Sequence, residues 1–368
     1  MSEIRRILDL WSRAKANGEE VCLTSIVGVE GSSYRKPGAR MLLTSGGLRA
    51  GTLSGGCLEA EISKKAWWLT EKGATVQQFT SFFDEDTGVP YGLGCGGSVY
   101  VLMERGPAAE AVLEALRRSV EMRQACAVVS AVGSRNAGTR AVVAEDGTVI
   151  FSHAVSEQQA QAESAARDVL RSEASKNFSM HGEEYFAEYL APPRALFIFG
   201  AGDDAQPLTE FAHALGWFVT VADGRSNLAC AERFPLAGAV AVLRGGLGQG
   251  DRWPGPRDAA VIMTHSYEQD GTLLRQLLPL PLTYLGILGP RARTERLIAG
   301  MCAEIGAPAE TCMERLHAPV GLDIGAHNPA AIALSIVAEI QAVFAGRGIA
   351  SGRAAKQSAQ PMRTALHA

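Results

Sequence analysis

Two cysteines sit in glycine-rich tracts, and thiols in open loops are the groups best suited to soft-metal or sulfur chemistry. Cys57 follows Gly51-Thr52-Leu53-Ser54-Gly55-Gly56 and begins a stretch with helical rhythm, where a helix dipole lowers a thiol pKa. Cys95 is bounded by Gly94, Gly96 and Gly97. Either sulfur could ligate a soft metal or hold a thiol-rich cofactor. Either could equally be a small residue filling a tight corner. Cys22, Cys126 and Cys230 lie in or beside apolar segments and read as packing. Cys302, Cys312 and His317 match no common metal spacing.

A second constellation is basic. Ser32, Ser33, Arg35, Lys36 and Arg40 surround the loop Gly31 to Gly38. Hydroxyls beside positive charge suit a phosphate or another oxyanion, and a solvated basic turn is the plain alternative. Gly55 and Gly56 would let backbone approach such a ligand. Glu59 and Glu61 read as acids complementing the start of the helix after Cys57.

The third is a glycine motif. The apolar run Leu196 to Phe199 leads into Gly200-Ala201-Gly202-Asp203-Asp204-Ala205, a GxGxxA pattern, and helical rhythm follows. The glycines permit a tight turn, and the helix start offers unpaired N–H groups to an anion. Asp223 lies 21 residues after Gly202, where a carboxylate would bond ribose hydroxyls. Asp203 and Asp204 are placed in the first helical turn. There they favour the dipole but repel a pyrophosphate by about 3 kcal/mol per pair at about 5 Å and an effective dielectric near 20. Arg225, His265, Gly289, Arg291 and Arg293 also follow predicted strands, so the set reads as one crevice.

The elements that must position these groups follow from patterning. Ile4, Ile7, Leu8 and Trp11 fall on one face of an opening helix. Strands are expected at Val21 to Val29, Arg40 to Thr44, near 75–82 and 97–103, and helices to about Lys72 and over 108–123. Strands at Cys126 to Val132 and Ala141 to Phe151, a polar helix over 156–175 and a strand at Glu184 to Leu190 follow. Pro192-Pro193 breaks the pattern. Beyond it, apolar runs at Ala195–Phe199, Phe218–Ala222, Ala239–Leu243, Ala259–Thr264 and Thr283–Leu288 suit a parallel sheet covered on both faces. Asn328-Pro329 starts a last helix to about Phe344. No long internal repeat is visible. The expected fold is α/β: an N-terminal mixed α+β domain over 1–191, then a Rossmann-like doubly wound parallel-sheet domain over 192–345, then a flexible tail over 346–368.

Composition narrows the function classes. The 368 residues carry 35 basic and 39 acidic side chains, a net charge of −4, which gives no support for nucleic-acid binding. No apolar run is long enough to span a membrane, and the charged N-terminus lacks a signal-peptide pattern. Seven cysteines, an odd number without a CxxC pair, argue against a disulfide scaffold or structural zinc. A soluble cytoplasmic protein with reduced thiols is expected.

The motifs together carry a resemblance. GSSYRKPGARMLL, GTLSGGCLEAEI, GLGCGG, LFIFGAGDDAQPL, LGWFVTVADGR, VIMTHSYEQD, YLGILGPRAR and APVGLDIGAHNPAAIALSIVAEI occur in the order typical of the xanthine dehydrogenase accessory proteins, the XdhC/CoxI family. Residues 105–190 carry little of it. Many members of that family have His at the position of Asp203. The resemblance implies a chaperone that binds the molybdenum cofactor (molybdopterin, in some forms a nucleotide), supports its sulfuration by a cysteine desulfurase, and inserts it into a client molybdoenzyme of the xanthine dehydrogenase type. On that reading the basic loop and the crevice hold the cofactor, and Cys57 or Cys95 meets molybdenum or carries sulfur. A homodimer could place one protomer's thiols beside the other's crevice. The alternatives are an NAD(P)-dependent oxidoreductase, with His265 as acid or base and Asp223 on ribose, and a sulfur-handling enzyme with a persulfide on Cys57 or Cys95.

Overall fold

The computed structural model describes residues 3–80, 97–133, 137–153, 156–247, 253–305 and 309–347. The chain divides into two compact units, 1–193 and 194–368.

The first unit begins with α1 (Glu3–Ala16), whose stripe of Ile7, Leu10 and Ala14 is buried. The strands β1 (Val21–Gly31), β2 (Arg40–Thr44), β3 (Arg49–Gly51), β4 (Thr75–Thr80) and β5 (Gly97–Arg105) form an antiparallel sheet in the order β3-β2-β1-β5-β4. Between β3 and β4 runs α2 (Cys57–Leu69), which lays Leu58, Ile62 and Ala66 on that sheet. After α3 (Gly106–Arg117) the helix widens into a π-turn over Arg118–Met122 and stops at Arg123, which adopts a left-handed conformation. The strands β6 (Cys126–Ala131), β7 (Gly138–Ala144), β8 (Val149–Ser152), β9 (Lys176–Met180) and β10 (Glu183–Leu190) then build a second antiparallel sheet, covered by α4 (Ser156–Ser172).

The order of this second sheet is β8-β7-β6-β10-β9. It repeats the first sheet strand for strand, with a helix inserted between the third and fourth strands each time. The sequence shows no long repeat, so the duplication is one of topology. One buried cluster takes in α1, α3 and a face of each sheet, with Leu23, Leu42, Val112, Leu113, Val128 and Val142 among its members. Two carboxylates also join the sheets. Glu188 on β10 forms a buried bidentate ion pair with Arg40 on β2. Glu104 on β5 accepts bonds from the Thr139 amide and hydroxyl on β7.

The second unit is a parallel five-stranded sheet. Its strands are β11 (Ala195–Phe199), β12 (Phe218–Asp223), β13 (Ala239–Val242), β14 (Ala259–Ile262) and β15 (Tyr284–Ile287), in the order β13-β12-β11-β14-β15. Both faces are covered, which is why these strands read as unbroken apolar runs. The helices α5 (Ala205–Ala214) and α9 (Pro329–Phe344) pack on one face. On the other lie α6 (Tyr267–Leu277), α7 (Arg291–Ile305) and α8 (Ala309–Glu314). Asn328 caps α9 through the Ala331 amide at 2.9 Å. The chain is thus mixed α/β with three sheets, the last Rossmann-like. Among the described residues no helix is long and apolar enough to cross a membrane.

Candidate functional site

In the second unit the glycine turn closes β11 against its neighbours. Gly200 has φ 130°, and a Cβ there would lie 2.3 Å from the Met263 carbonyl, so no other residue fits. The Gly200 amide donates to the Ala222 carbonyl at 2.8 Å. Asp223, fully buried at the end of β12, takes the next amide: its Oδ2 accepts from Ala201 N at 2.7 Å. The same carboxylate accepts from the Arg225 backbone amide at 2.8 Å, from Nε at 3.0 Å and from a terminal guanidinium nitrogen at 2.7 Å. Burial acts to raise the Asp223 pKa, but the bonds from Arg225 and Ala201 outweigh it and hold the carboxyl below the ordinary range. Those bonds in turn raise the Arg225 pKa. Asp223 therefore anchors the glycine turn and aims Arg225, whose side chain stays 45% exposed.

Asp203 and Asp204 differ from expectation. The helix starts at Ala205, so both lie just before α5, with Asp204 at the N-cap but making no capping bond. Asp203 pairs instead with Arg233 at 2.8 Å. Asp204 folds back over the turn, and a Cβ on Gly202 would meet its Oδ1 at 2.6 Å. Its Oδ2 lies 2.9 Å from Nε2 of His265. His265, directly after β14, has φ 62°, a left-handed conformation that costs a non-glycine residue of order 1 kcal/mol or more. Gly200, Gly202, Asp223, Arg225 and His265 are thus brought together at the carboxyl ends of β11, β12 and β14. Gly289 follows β15 with φ 139° and would meet the Arg293 guanidinium at 3.2 Å if it bore a Cβ. Arg293 pairs with buried Asp270 at 2.7 Å. Arg291 is mostly exposed and bonds Glu295 one turn along α7, so no contact ties it to the other members.

Past the end of β12 the structure holds a cavity of about 350 Å³, lined among others by Gly224, Gly245, Gly246, Ser266, Glu268 and Gln269. Sequence reasoning missed these residues, although Gly245-Gly246 after a predicted strand end was a usable signal.

In the first unit the two glycine loops are joined by Glu3. It accepts from the Thr52 amide at 2.8 Å and hydroxyl at 2.7 Å, and it ion-pairs with Arg35. Ser33 bonds the Arg35 carbonyl at 2.9 Å, and Ser32 is exposed. Arg40 is buried against Glu188 and also donates to the Gly38 carbonyl at 2.9 Å, so its fork faces the protein. Between α1, this loop and β10 lies a cavity of about 360 Å³, lined by Arg35, Lys36, Arg40, Glu3 and Glu188 among others.

Glu59 is more than a dipole complement. Its buried carboxylate accepts from Leu53 N at 2.8 Å, Ser54 N at 2.6 Å, Ser54 Oγ at 2.7 Å and Gly56 N at 2.9 Å. Burial pushes its pKa up, but the Ser54 and Leu53 bonds prevail and hold it low. An acid three residues past Gly56 was the legible sign of this capping box. Gly55 and Gly56 are exposed, and nothing lies within 4 Å of a Cβ placed on either. Cys57 is the first residue of α2; its side chain, and the whole of Cys95, lie outside the described residues. Among the described residues no group of three or more His, Cys, Asp or Glu could hold a metal ion. Cys22 and Cys126 are buried, and burial pushes both thiols up to about 12, which suits packing. His317 takes part in another network: its Nδ1 lies 3.0 Å from Glu339, which also accepts from Tyr284 and from the Gly321 amide.

Comparison with known proteins adds kinship to this geometry. Residues 196–340 match the profile described as the XdhC Rossmann domain, and residues 14–80 that of the XdhC and CoxI family. The chain is 31% identical over 325 residues to a probable xanthine dehydrogenase subunit of Bacillus subtilis (strain 168), covering 88% of this chain and 92% of that one. It is 24% identical to the molybdenum cofactor insertion chaperone PaoD of Escherichia coli (strain K12), covering 92% and 88%. A crystal structure described as a xanthine dehydrogenase from Bacillus halodurans superposes with a TM-score of 0.74 at 28% identity, covering 95% and 98% of the two chains.

Proposed function

Since the chain belongs to the XdhC and CoxI family, we propose that it carries the molybdenum cofactor and inserts it into a client molybdoenzyme of the xanthine dehydrogenase type. The observation that carries this reading is the match to a molybdenum cofactor insertion chaperone along 92% of the chain. The cofactor is cargo, so no turnover is required of the carrier.

The geometry supports this reading in three ways. A cavity of about 350 Å³ falls within the range that encloses a small organic ligand, and its lining includes Gly224, the residue before an arginine held by a buried acid. Preorganised guanidinium is the group of choice for a phosphate tail. The hydroxyl of Ser266, the amide of Gln269 and the turn Gly245-Gly246 would meet the polar edges of a pterin. In the first unit, taken by itself, Lys36 borders the other cavity and offers charge to an oxyanion, while Arg35 there is paired with Glu3.

An ordinary NAD(P) dinucleotide is not the ligand we propose. Asp204 covers Gly202, where the pyrophosphate would rest, and Asp223 already receives four protein donors. A ribose would have to displace Arg225 or the Ala201 amide.

Sulfuration belongs to the same proposal. Cys57 and Cys95 would face the dithiolene or pass sulfur from a cysteine desulfurase, in a cytoplasmic homodimer. The test uses the full chain purified from a host that makes the cofactor. Oxidation of its bound pterin should give about one fluorescent pterin per chain, and Arg225→Ala should retain roughly tenfold less. No pterin, and no uptake when cofactor is supplied, overturns the carrier reading. Cys57→Ala and Cys95→Ala separate sulfur handling from binding: pterin retained with client activation lost implicates sulfur transfer, and both retained assigns the thiols to packing.

A further inference from the structure

Away from the crevice, two thiols meet inside the second unit. Cys302 on α7 and Cys312 on α8 are both buried, and their sulfurs lie 3.3 Å apart. Both are reduced in this structure. Their surroundings are apolar: Leu297, Ile298, Met301 and Leu316 belong to the same core cluster. Sequence spacing gave no hint of a shared role, because ten residues separate them and the pair fits no metal pattern.

We propose that Cys302 and Cys312 are a redox pair that closes reversibly into a disulfide when the protein meets a small neutral peroxide. A disulfide has a bond of about 2.05 Å, so the sulfurs must approach by about 1.2 Å. The second helix, α8, has only six residues, so closing the gap asks a shift of one short element. In the first step one thiol, as thiolate, attacks a peroxide oxygen. The S–O bond forms as the O–O bond breaks, giving a sulfenic acid, and the departing hydroxide takes up the thiol's proton and leaves as water. In the second, the other thiol attacks the sulfenic sulfur, a second water leaves, and the S–S bond forms. Two thiols and one hydrogen peroxide thus give one disulfide and two waters. A dithiol reductant reverses the change by exchange.

The adjacent second sulfur is what directs this chemistry. A buried sulfenic acid alone would wait for further oxidation, whereas one in contact with a thiol condenses. The bond would tie α8 to α7, the helix whose first turn carries Arg291 and Arg293.

The test is a mass measurement on the intact chain treated with hydrogen peroxide, unfolded in iodoacetamide and cut with trypsin. Cleavage at Arg296 and Arg315 leaves both cysteines in one peptide, residues 297–315. The expected peptide is two hydrogens lighter and unalkylated, and prior dithiothreitol restores two alkyl groups. Oxygen gained at Met301 or Met313 is read separately as added mass. Cys302→Ser and Cys312→Ser should each abolish the loss of two hydrogens and let the remaining sulfur pass to higher acids. If either variant fails to fold, the wild-type measurement decides alone. Two alkyl groups after peroxide, two sulfonic acids, or a bridge to any other cysteine overturns the proposal.

Discussion

Replacing Asp223 by Asn keeps the shape of the side chain and removes its charge, which isolates what the carboxylate does. Four donors converge on it: the Ala201 amide and one guanidinium nitrogen on Oδ2, the Arg225 amide and Nε on Oδ1. An asparagine can accept at only one of these two sites. Its carbonyl takes the Ala201 side, because Ala201 is fully buried and Arg225 can turn to solvent. The amino group of the introduced carboxamide would then face the Arg225 donors. Losing a half-exposed ion pair costs about 1 kcal/mol. The remaining Ala201 bond loses charge assistance, and the Arg225 amide loses its acceptor, each about 1 kcal/mol. The sum, about 3 kcal/mol, is roughly a hundredfold in a local opening equilibrium. Hydrogen exchange of the peptide spanning Gly200 to Gly202 should therefore quicken by about two orders of magnitude. The pH dependence has a fixed sign. The folded pKa is depressed, so the stabilisation is complete above the ordinary carboxylate value near 3.9 and is lost as pH falls through the folded value. The difference between variant and wild type should thus be the same at pH 7 and pH 5. Exchange within threefold of wild type would refute the anchoring role.

Two further substitutions probe the first unit. Gly55→Ala meets open space and no positive φ, so stability should change by less than about 0.5 kcal/mol in urea unfolding. If backbone at Gly55 approaches the cargo, retained pterin should nevertheless fall about tenfold; unchanged retention removes Gly55 from the site. Arg40→Met leaves Glu188 buried without its partner and should cost about 3–5 kcal/mol, while Arg40→Met with Glu188→Leu should recover most of it, read as urea midpoints.

The strands of the second unit were legible almost to the residue, because burial on both faces writes itself as Val, Ile, Ala and Phe runs such as Ala195–Phe199. The antiparallel unit was legible where burial is strong, as at Arg40–Thr44, and was missed at β9 (Lys176–Met180), where the alternation is only two apolar residues long, Phe178 and Met180, on a strand otherwise exposed. The shared strand order of the two sheets was invisible, since topology constrains neighbours and leaves residue identity open. In the candidate site, patterning found the glycines, arginines and acids but not their partners. Arg40 meets Glu188 from 148 positions away, and Arg35 meets Glu3 from 32. Nothing local records such pairs, so arginines that looked available for phosphate prove to be held by carboxylates. Asp203 and Asp204 fall outside the helix that patterning assigns them to, because a cap and a first turn differ in backbone angles, which composition does not report.

The position of β5 has a consequence for anyone dissecting the chain. It sits between β1 and β4, so the first sheet is complete only when residues 97–105 have joined it. A fragment cut to the recognisable stretch 14–80 would lack that central strand and expose the facing edges of β1 and β4. Such a piece would recruit strands from its own copies and precipitate, so recombinant excision of this stretch would yield aggregates in place of a working module.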